Sequence, residues 1–290
     1  MARDFLVHHR TECRLDGAPA TSGVVCGKAT VPKKLIGCWR RRYIRFHDGS
    51  ADTTTRVIWL QTLSGAGDIR IAADRPNLKS RGGLSACTKD ELLALAEQDC
   101  FAGQTLFDAE ADPHPTARWP LDGYLFRFQP VVTFPEDGWM DWKEDGTCMI
   151  EKAPSAAYEE DWRLEPGSQT FAAHLTQRGT NGQTCLYVAG DHAIFARNRE
   201  VALSANKSLP ELAKEAGNDE ARLRELVDCE FSYARRPRPG GDYTIELSTL
   251  PWHEGQTLNC AWVEHLFSDM LDAGHVGLAE MWMIESFWRA

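Results

Sequence analysis

Apolar and polar residues alternate along most of the chain in short stretches, which is the pattern of β-strands. LIGCWRRRYIRF, at 35–46, runs up to an Asp-Gly turn, and TTTRVIWLQTL, at 53–63, is rich in β-branched and aromatic residues. GDIRIAA follows at 67–73, and six more short segments with turn residues between most of them lie between 138 and 200. Such regular spacing predicts an antiparallel barrel or sandwich.

Helices are predicted at three places. Thr88 followed by Glu91 forms a capping box ahead of LLALAEQ, which predicts a helix over 88–99. The passage LPELAKEAGNDEARLRELVD predicts helical structure over 209–228. Trp262, Leu266 and Met270 stand at helical spacing, so the tail is expected to be mostly helical.

The overall charge argues against one class of function. The 290 residues carry a formal net charge of -10, which disfavours nonspecific nucleic-acid binding because a phosphate backbone requires a surplus of Lys and Arg. No run of 18 apolar residues exists, and the first 17 residues lack the apolar core of a signal peptide. We therefore expect a cytoplasmic protein without a membrane partner, whose nine scattered cysteines are reduced and serve as small apolar residues.

Two patterns resemble known families. Gly37-Cys38-Trp39 resembles the Gly-x-Trp element that begins the first strand of lipocalins and other calycins, where the Trp closes the barrel and a late Arg stacks on it. Arg197 and Arg235 are the candidates for that Arg. TTRVIWLQTLSGAGDIRI, AYEEDWRLE and YVAGD are similar to blocks of a two-barrel calycin family known from fungi as a casein-kinase-interacting protein. These resemblances imply a fold but carry no catalytic residues.

The expected fold is mostly β, with two lipocalin-like (calycin) antiparallel barrels, a few short helices and a helical C-terminal tail. The first barrel is predicted over 33–135 and the second over 136–257. A helical extension covers 258–290, lies outside the resemblance and is the expected contact of a homo-oligomer. The two halves look loosely alike, since each opens with a Gly-Trp element and reaches an Asp-Gly turn.

The first candidate site lies on two neighbouring strands. Alternation places Trp59 and Gln61 on one face, and Asp68 and Arg70 share a face of the next strand. If that face points into a barrel, these side chains form a polar floor for a carbonyl or carboxylate ligand. The alternative is an ordinary ion pair on the surface, which contributes little.

The second candidate site is the segment AAYEEDWRLE. Tyr158, Glu160 and Trp162 share its more apolar face, which is the better candidate for the barrel interior. A glutamate buried between aromatic rings has a raised pKa and can act as a general acid or base. The alternative is that an arginine such as Arg197 pairs with Glu160 and no chemistry follows.

The nine histidines show no metal-binding spacing, so neither a metal nor a cofactor is predicted. His174 and His192 lie on neighbouring predicted strands. Because calycins of the nitrobindin type hold haem through one barrel histidine, haem remains open as a ligand of His174. The alternative is a hydrogen-bonded structural histidine.

Three classes of function remain. The leading one is binding of a small, largely apolar or planar molecule in a barrel, with Trp59, Gln61, Arg70, Trp162 and His174 as ligand-binding residues. The second is a cofactor-free isomerase, hydratase (lyase) or decarboxylase acting on a small hydrophobic substrate. Its catalytic residues would be Glu160 with Tyr158, or Asp68 with Arg70. The third is a protein-interaction module that uses the acidic surface and the tail.

Overall fold

Antiparallel strands make up most of the computed structural model, which describes residues 25–26, 28–133, 135–143, 145–265 and 281–290. The strands, in chain order, are β1 (Val25–Cys26), β2 (Gly37–Phe46), β3 (Ala51–Asp52), β4 (Arg56–Gln61), β5 (Gly65–Ile71), β6 (Asp99–Gln104), β7 (Leu106–Asp108), β8 (Thr116–Arg118), β9 (Tyr124–Arg127), β10 (Gly138–Trp142), β11 (Cys148–Lys152), β12 (Tyr158–Leu164), β13 (Phe171–Gln177), β14 (Thr184–Ala189), β15 (His192–Arg197), β16 (Glu230–Arg235), β17 (Tyr243–Ser248), β18 (Thr257–Leu258) and β19 (Trp282–Arg289). The α-helices are α1 (Lys89–Leu95), α2 (Leu209–Ala216) and α3 (Glu220–Val227). Short 3-10 helices cover Lys33–Leu35, Lys79–Arg81, Leu84–Ala86, Leu121–Gly123, Pro251–His253 and Ala261–His265.

The strands form two antiparallel sheets, which confirms the mostly β prediction. The first sheet has the order β7-β8-β10-β11-β12-β2-β4-β5-β6-β9, with β3 paired to β2, and it curls into a half-barrel. The second sheet has the order β1-β19-β13-β14-β15-β16-β17-β18. Among the described residues, each sheet has an edge strand at both ends of its strand order. Neither sheet therefore closes into a ring of strands.

The two sheets pack against each other through the convex side of β4 and β5. Leu60 and Ile69 on this side are fully buried, and they belong to the same apolar core as Tyr187 and Ile194 of the second sheet. Gly67 allows a close approach of the sheets, because a Cβ placed there would lie 3.0 Å from Cγ2 of Ile194. The opposite, concave side of the first sheet is therefore left to form a site of its own.

Two of the predicted helical regions are confirmed, although both are shorter or more broken than expected. α1 begins after Thr88, whose Oγ accepts the backbone N–H of Glu91, while the Glu91 side chain accepts the backbone N–H of Thr88. The predicted passage 209–228 is split into α2 and α3. Gly217 ends α2 with φ of 60°, a value that favours glycine.

The division between the sheets does not fall at residue 135, where the boundary between two barrels was predicted. Strands β10, β11 and β12 come from the predicted second half, yet they belong to the first sheet. β12 pairs with β2 from Tyr158 opposite Phe46 to Leu164 opposite Trp39. The physical reason is that β2 is ten residues long, so one of its edges pairs with β12 along most of its length while the other pairs with β4 and β3.

The helical prediction for 258–290 is wrong for the end of the chain. Residues Trp282–Arg289 form β19, which lies between β1 and β13 in the second sheet. Its carbonyl and amide groups are used on both edges, so the strand is stabilised by long-range pairing that a local pattern does not reveal. A 3-10 helix covers Ala261–His265, and Leu266 and Met270 lie outside the described residues.

The expected arginine on Trp39 is not found within the described part of the chain. The indole N–H of Trp39 donates to the carbonyl oxygen of Leu35 at 2.9 Å. Arg197 pairs with Asp228, and Arg235 pairs with Glu246. No α-helix in the described segments is both long and apolar enough to cross a membrane.

Candidate functional site

The concave side of the half-barrel encloses a cavity of about 100 Å³. A closed cavity of roughly 150 Å³ accommodates benzene, so a one-ring molecule would fill this space and extend into its open side. Its wall contains the aromatic side chains of Trp59, Phe101, Trp119, Tyr124, Tyr158 and Trp162. Its charged lining comes from Asp68, Arg70, Asp99, Arg127, Glu136, Glu151 and Glu160. Both predicted sites therefore contribute to one cavity.

The strand register explains why the two sites meet. Trp59 on β4 pairs directly with Asp68 on β5, so both side chains lie on the same side of the sheet. On the other flank of β2, Glu160 pairs with Ile44, which also lines the cavity. Of the two alternatives left open for these strands, the interior one is found: Trp59 faces the cavity, and the curl of the sheet brings distant strands to one space.

Asp68 and Arg70 form the predicted pair inside the cavity. Nε of Arg70 donates to Oδ1 of Asp68 at 2.7 Å, and the Asp68 side chain is only 3% exposed. Burial raises the pKa of Asp68 to about 6, although the charge of Arg70 opposes this shift. Asp68 is therefore ionised at neutral pH but close to its titration range, as suits a general base.

Glu160 is buried as predicted, and an arginine neutralises it. The partner is Arg41 and not Arg197: Nη1 of Arg41 donates to Oε1 of Glu160 at 2.7 Å. Arg41 also reaches Oδ2 of Asp52 at 3.2 Å, so it bridges two carboxylates. The alternative foreseen for Glu160, pairing with an arginine, is therefore the arrangement found, with Arg41 in place of Arg197.

The carboxyl group with the raised pKa is Glu151, which the sequence did not single out. It lies on β11 directly opposite Glu160 and is 4% exposed. Burial, reinforced by the charge of Glu160, raises the pKa of Glu151 to about 8. At neutral pH Glu151 is therefore mainly a neutral carboxylic acid in the cavity wall.

Two aromatic donors hold Glu151 in place. The hydroxyl of Tyr158 donates to Oε1 at 3.0 Å, and the indole N–H of Trp162 donates to Oε2 at 3.1 Å. Gly138 leaves the space for this carboxyl group, because a Cβ there would lie 2.8 Å from Oε1. Tyr158 and Trp162, predicted as catalytic and ligand-binding residues, thus position Glu151 as well as lining the cavity.

Three tryptophans stack edge to face along the wall. Trp59 lies between Trp119 and Trp162, with ring centroids 5.6 Å and 5.7 Å apart. The indole N–H groups of Trp59 and Trp119 are shielded from solvent and have no acceptor within the described structure. An unsatisfied buried donor costs free energy, and an acceptor brought by a ligand removes that cost. Trp119 was missed because it lies outside any strand.

A wider cleft of about 420 Å³ adjoins the cavity and shares Ile44, Arg70, Asp99 and Thr133 with it. Arg70 is half-buried, so its side chain stands at the junction of the two spaces. This arrangement gives the inner cavity a route to solvent past Arg70.

Two predicted ligand-binding residues do not line this cavity. Gln61 donates from Nε2 to the carbonyl oxygens of Thr62 and Gly65 and so closes the turn between β4 and β5. His174 lies on β13 of the second sheet, stacked on Tyr187 with centroids 4.6 Å apart. Burial lowers the pKa of His174 to about 3, so it is neutral at physiological pH.

The His174 ring packs against β5 of the first sheet, and the residue also lines a cleft of about 360 Å³. Nδ1 lies against Gly65, where a Cβ would be 2.5 Å away, and both ring nitrogens are shielded from solvent. No group of three or more His, Cys, Asp or Glu side chains in the described segments is arranged to hold a metal ion.

Comparisons with known proteins add little. No protein-family model matches the chain, and no curated protein matches it in sequence. Among solved structures, an uncharacterized protein from Saccharomyces cerevisiae is similar at 10% sequence identity and a TM-score of 0.48, over 73% of this chain and 84% of that chain. Neither a shared family nor a shared function follows at this level of similarity.

Proposed function

We propose that the half-barrel cavity binds a small molecule with a planar or apolar body of about one ring and a hydrogen-bond acceptor such as a carbonyl oxygen. The observation that carries the proposal is that Trp59 and Trp119 both line the cavity while their buried indole N–H groups have no acceptor among the described residues. Aromatic walls with a few polar groups are typical of small-molecule sites. The resemblance to calycins also supports small-molecule binding. We include a relationship to the two-barrel calycins in this proposal.

The test compares two isosteric probes, cyclohexanone and methylenecyclohexane, by titration calorimetry. They differ only in whether an oxygen or a CH₂ group faces the donors. We expect cyclohexanone to bind about five- to thirtyfold more tightly, because one satisfied buried donor contributes about 1–2 kcal/mol. W59F, which removes one of the two N–H groups, should reduce this preference, and W282F on the second sheet should preserve it. Equal binding of both probes, or no binding of either, would contradict the proposal.

A second candidate function is cofactor-free proton transfer, as in an isomerase or lyase. It is favoured by two carboxyl groups in one cavity with different pKa values, about 6 for Asp68 and about 8 for Glu151. Near pH 7, Asp68 would remove a proton from the carbon next to a bound carbonyl group. Glu151 would give its proton to the carbonyl oxygen as the enol forms, and both protons return in the reverse step.

Exchange of hydrogen for deuterium at the α-carbons of cyclohexanone in D₂O, followed by NMR, distinguishes a catalyst from a binder. For a catalyst we expect exchange well above the buffer rate, and D68N or E151Q should each lower it by about a hundredfold or more. E159Q, on the opposite side of β12, serves as the control. Tight binding with exchange at the buffer rate would leave the binding function and exclude this catalysis.

For the third class, an interaction module, the described part of the tail offers the exposed side chains of Met281 and Met283, near the beginning of β19.

A further inference from the structure

Arg199, just beyond β15, is a buried cation without a carboxylate partner among the described residues. The residue is 6% exposed. Its Nη1 donates to the carbonyl oxygen of Arg127 at 3.2 Å and its Nη2 to that of Phe128 at 3.0 Å. The guanidinium carbon lies 5.2 Å from the centroid of the Phe128 ring. Burial lowers the pKa of Arg199, as expected for a cation that has lost water without gaining an anion.

Each of the other two buried arginines of the described structure forms ion pairs with two carboxylates. Arg41, 8% exposed, contacts Glu160 and Asp52. Arg236, 4% exposed, contacts Asp191 and Glu264. Arg41 and Arg236 thus each have two carboxylate partners, whereas Arg199 has none among the described residues. Because an unpaired buried charge is costly, the departure requires a reason.

Arg199 lines a cavity that contains a second unpaired arginine. This space of about 240 Å³ lies between the end of β9 and the segment after β15. Arg127 and Arg199 are its charged lining residues, so its local charge is positive in a chain of net charge -10. Nε of Arg199 and Nη1 of Arg127 are shielded from solvent and have no acceptor in the described structure. Val201 and Leu203 give the same space an apolar side.

We propose that this cavity is an anion-binding site for the carboxylate or phosphate group of a small organic molecule. Arginine is suited to such groups because its planar fork donates two parallel hydrogen bonds to two oxygens. The anion supplies the charge that the described residues do not supply, and Val201 with Leu203 contacts the apolar part of the ligand. The site is distinct from the ligand site proposed above, although Arg127 borders both cavities.

The test titrates inorganic phosphate and acetate separately into the full-length protein, at constant ionic strength set with chloride. We expect at least one of them to bind and to raise the melting temperature. R199K keeps the charge but loses the fork, and R127Q removes the second donor. Each should weaken binding by about tenfold or more, as expected when a charged hydrogen bond is lost. R42Q, at an exposed position of β2, should bind as the wild type does.

The two probes also identify the class of ligand. Binding of phosphate alone indicates a phosphate ester, and binding of acetate alone indicates a carboxylate. If R199K does not fold, R127Q still decides, because the Arg127 side chain is half-buried and its hydrogen bond is to a local carbonyl, that of Pro130. Absence of binding by both anions, or unchanged binding in R127Q and R199K, would overturn the proposal.

Discussion

Glu151 and Glu160 lie directly opposite each other on β11 and β12. Both are only 4% exposed, and their carboxyl groups accept hydrogen bonds from different donors. Glu160 accepts from the guanidinium of Arg41, whereas Glu151 accepts from the neutral donors Tyr158 and Trp162. Like charges directly opposite in a sheet are destabilising, and here the pKa of one carboxyl group is raised while the other is neutralised by a cation. The cavity therefore contains one carboxyl group with a raised pKa, Glu151, and one that is paired with a cation, Glu160.

The raised pKa of Glu151 predicts that stability falls with rising pH. The unfolded chain releases this proton near pH 4.3, and the folded chain retains it to about pH 8. Stability from the protonated form is thus complete below the unfolded pKa and is lost as the pH rises through the folded pKa. Asp68 acts in the same sense, but its folded pKa is about 6. Between pH 6 and 8 the loss therefore comes mainly from Glu151.

We expect the free energy of unfolding in urea to fall by up to about 2–3 kcal/mol between pH 6 and pH 8 in the wild type. E151Q imitates the neutral acid and should lose most of this slope. E159Q, whose side chain lies on the opposite side of the sheet, should retain it. An E151Q protein with the wild-type slope would contradict the raised pKa.

The sequence predicted one wall of this site better than the other. Alternation in β4 and β5 placed Asp68 and Arg70 on one shared face and left open whether that face was internal; the register of these strands is local because a short turn joins them. Glu151 lies in one of the short segments between 138 and 200 that were expected to be strands, and it was missed because the face on which it lies depends on the pairing of β11 with β12. Arg41 was missed because a bulge in the ladder between β2 and β12 shifts the alternation there.

The same limit explains the fold-level errors. β19 inserts between β1 and β13, more than a hundred residues after β13 in the chain. Pairing between such distant segments cannot be predicted from the local sequence pattern. The capping box at Thr88 was predicted correctly because it needs only four consecutive residues. Features set within a few residues could be predicted, and features set by long-range pairing could not.

The buried ion pair of Arg41 and Glu160 predicts a large effect when one partner is removed. R41M leaves Glu160 without its cation, and we expect a loss of about 3–5 kcal/mol in the free energy of unfolding. R45M on the same strand removes an ion pair with Glu159 in which both side chains are exposed in part, 58% for Arg45 and 32% for Glu159, so its loss should stay below about 1 kcal/mol. Urea denaturation measures both. Equal losses in R41M and R45M would show that Glu160 does not depend on Arg41.

Gly190 in the turn between β14 and β15 predicts another strong contrast. It has φ of 53°, and a Cβ there would lie 1.8 Å from the carbonyl oxygen of Gly167. Gly49 has φ of 85° but open space around it. G49A should therefore cost about 1–2 kcal/mol through backbone strain alone, and G190A about 4 kcal/mol or more. Thermal or urea unfolding of the two variants tests this, and similar losses in both would contradict the close approach.

Trp39 and Trp59 pair directly across β2 and β4, are both buried, and differ in the fate of the indole N–H. Trp39 donates to the carbonyl oxygen of Leu35, whereas the N–H of Trp59 has no acceptor in the described structure. Substitution by Phe removes a similar volume at both positions, so the difference between W39F and W59F isolates the hydrogen bond. On protein refolded without added ligand, W39F should lose about 1–3 kcal/mol more than W59F in urea unfolding. A larger loss for W59F would mean that its N–H is already satisfied, and the argument for a ligand acceptor in the cavity would then fail.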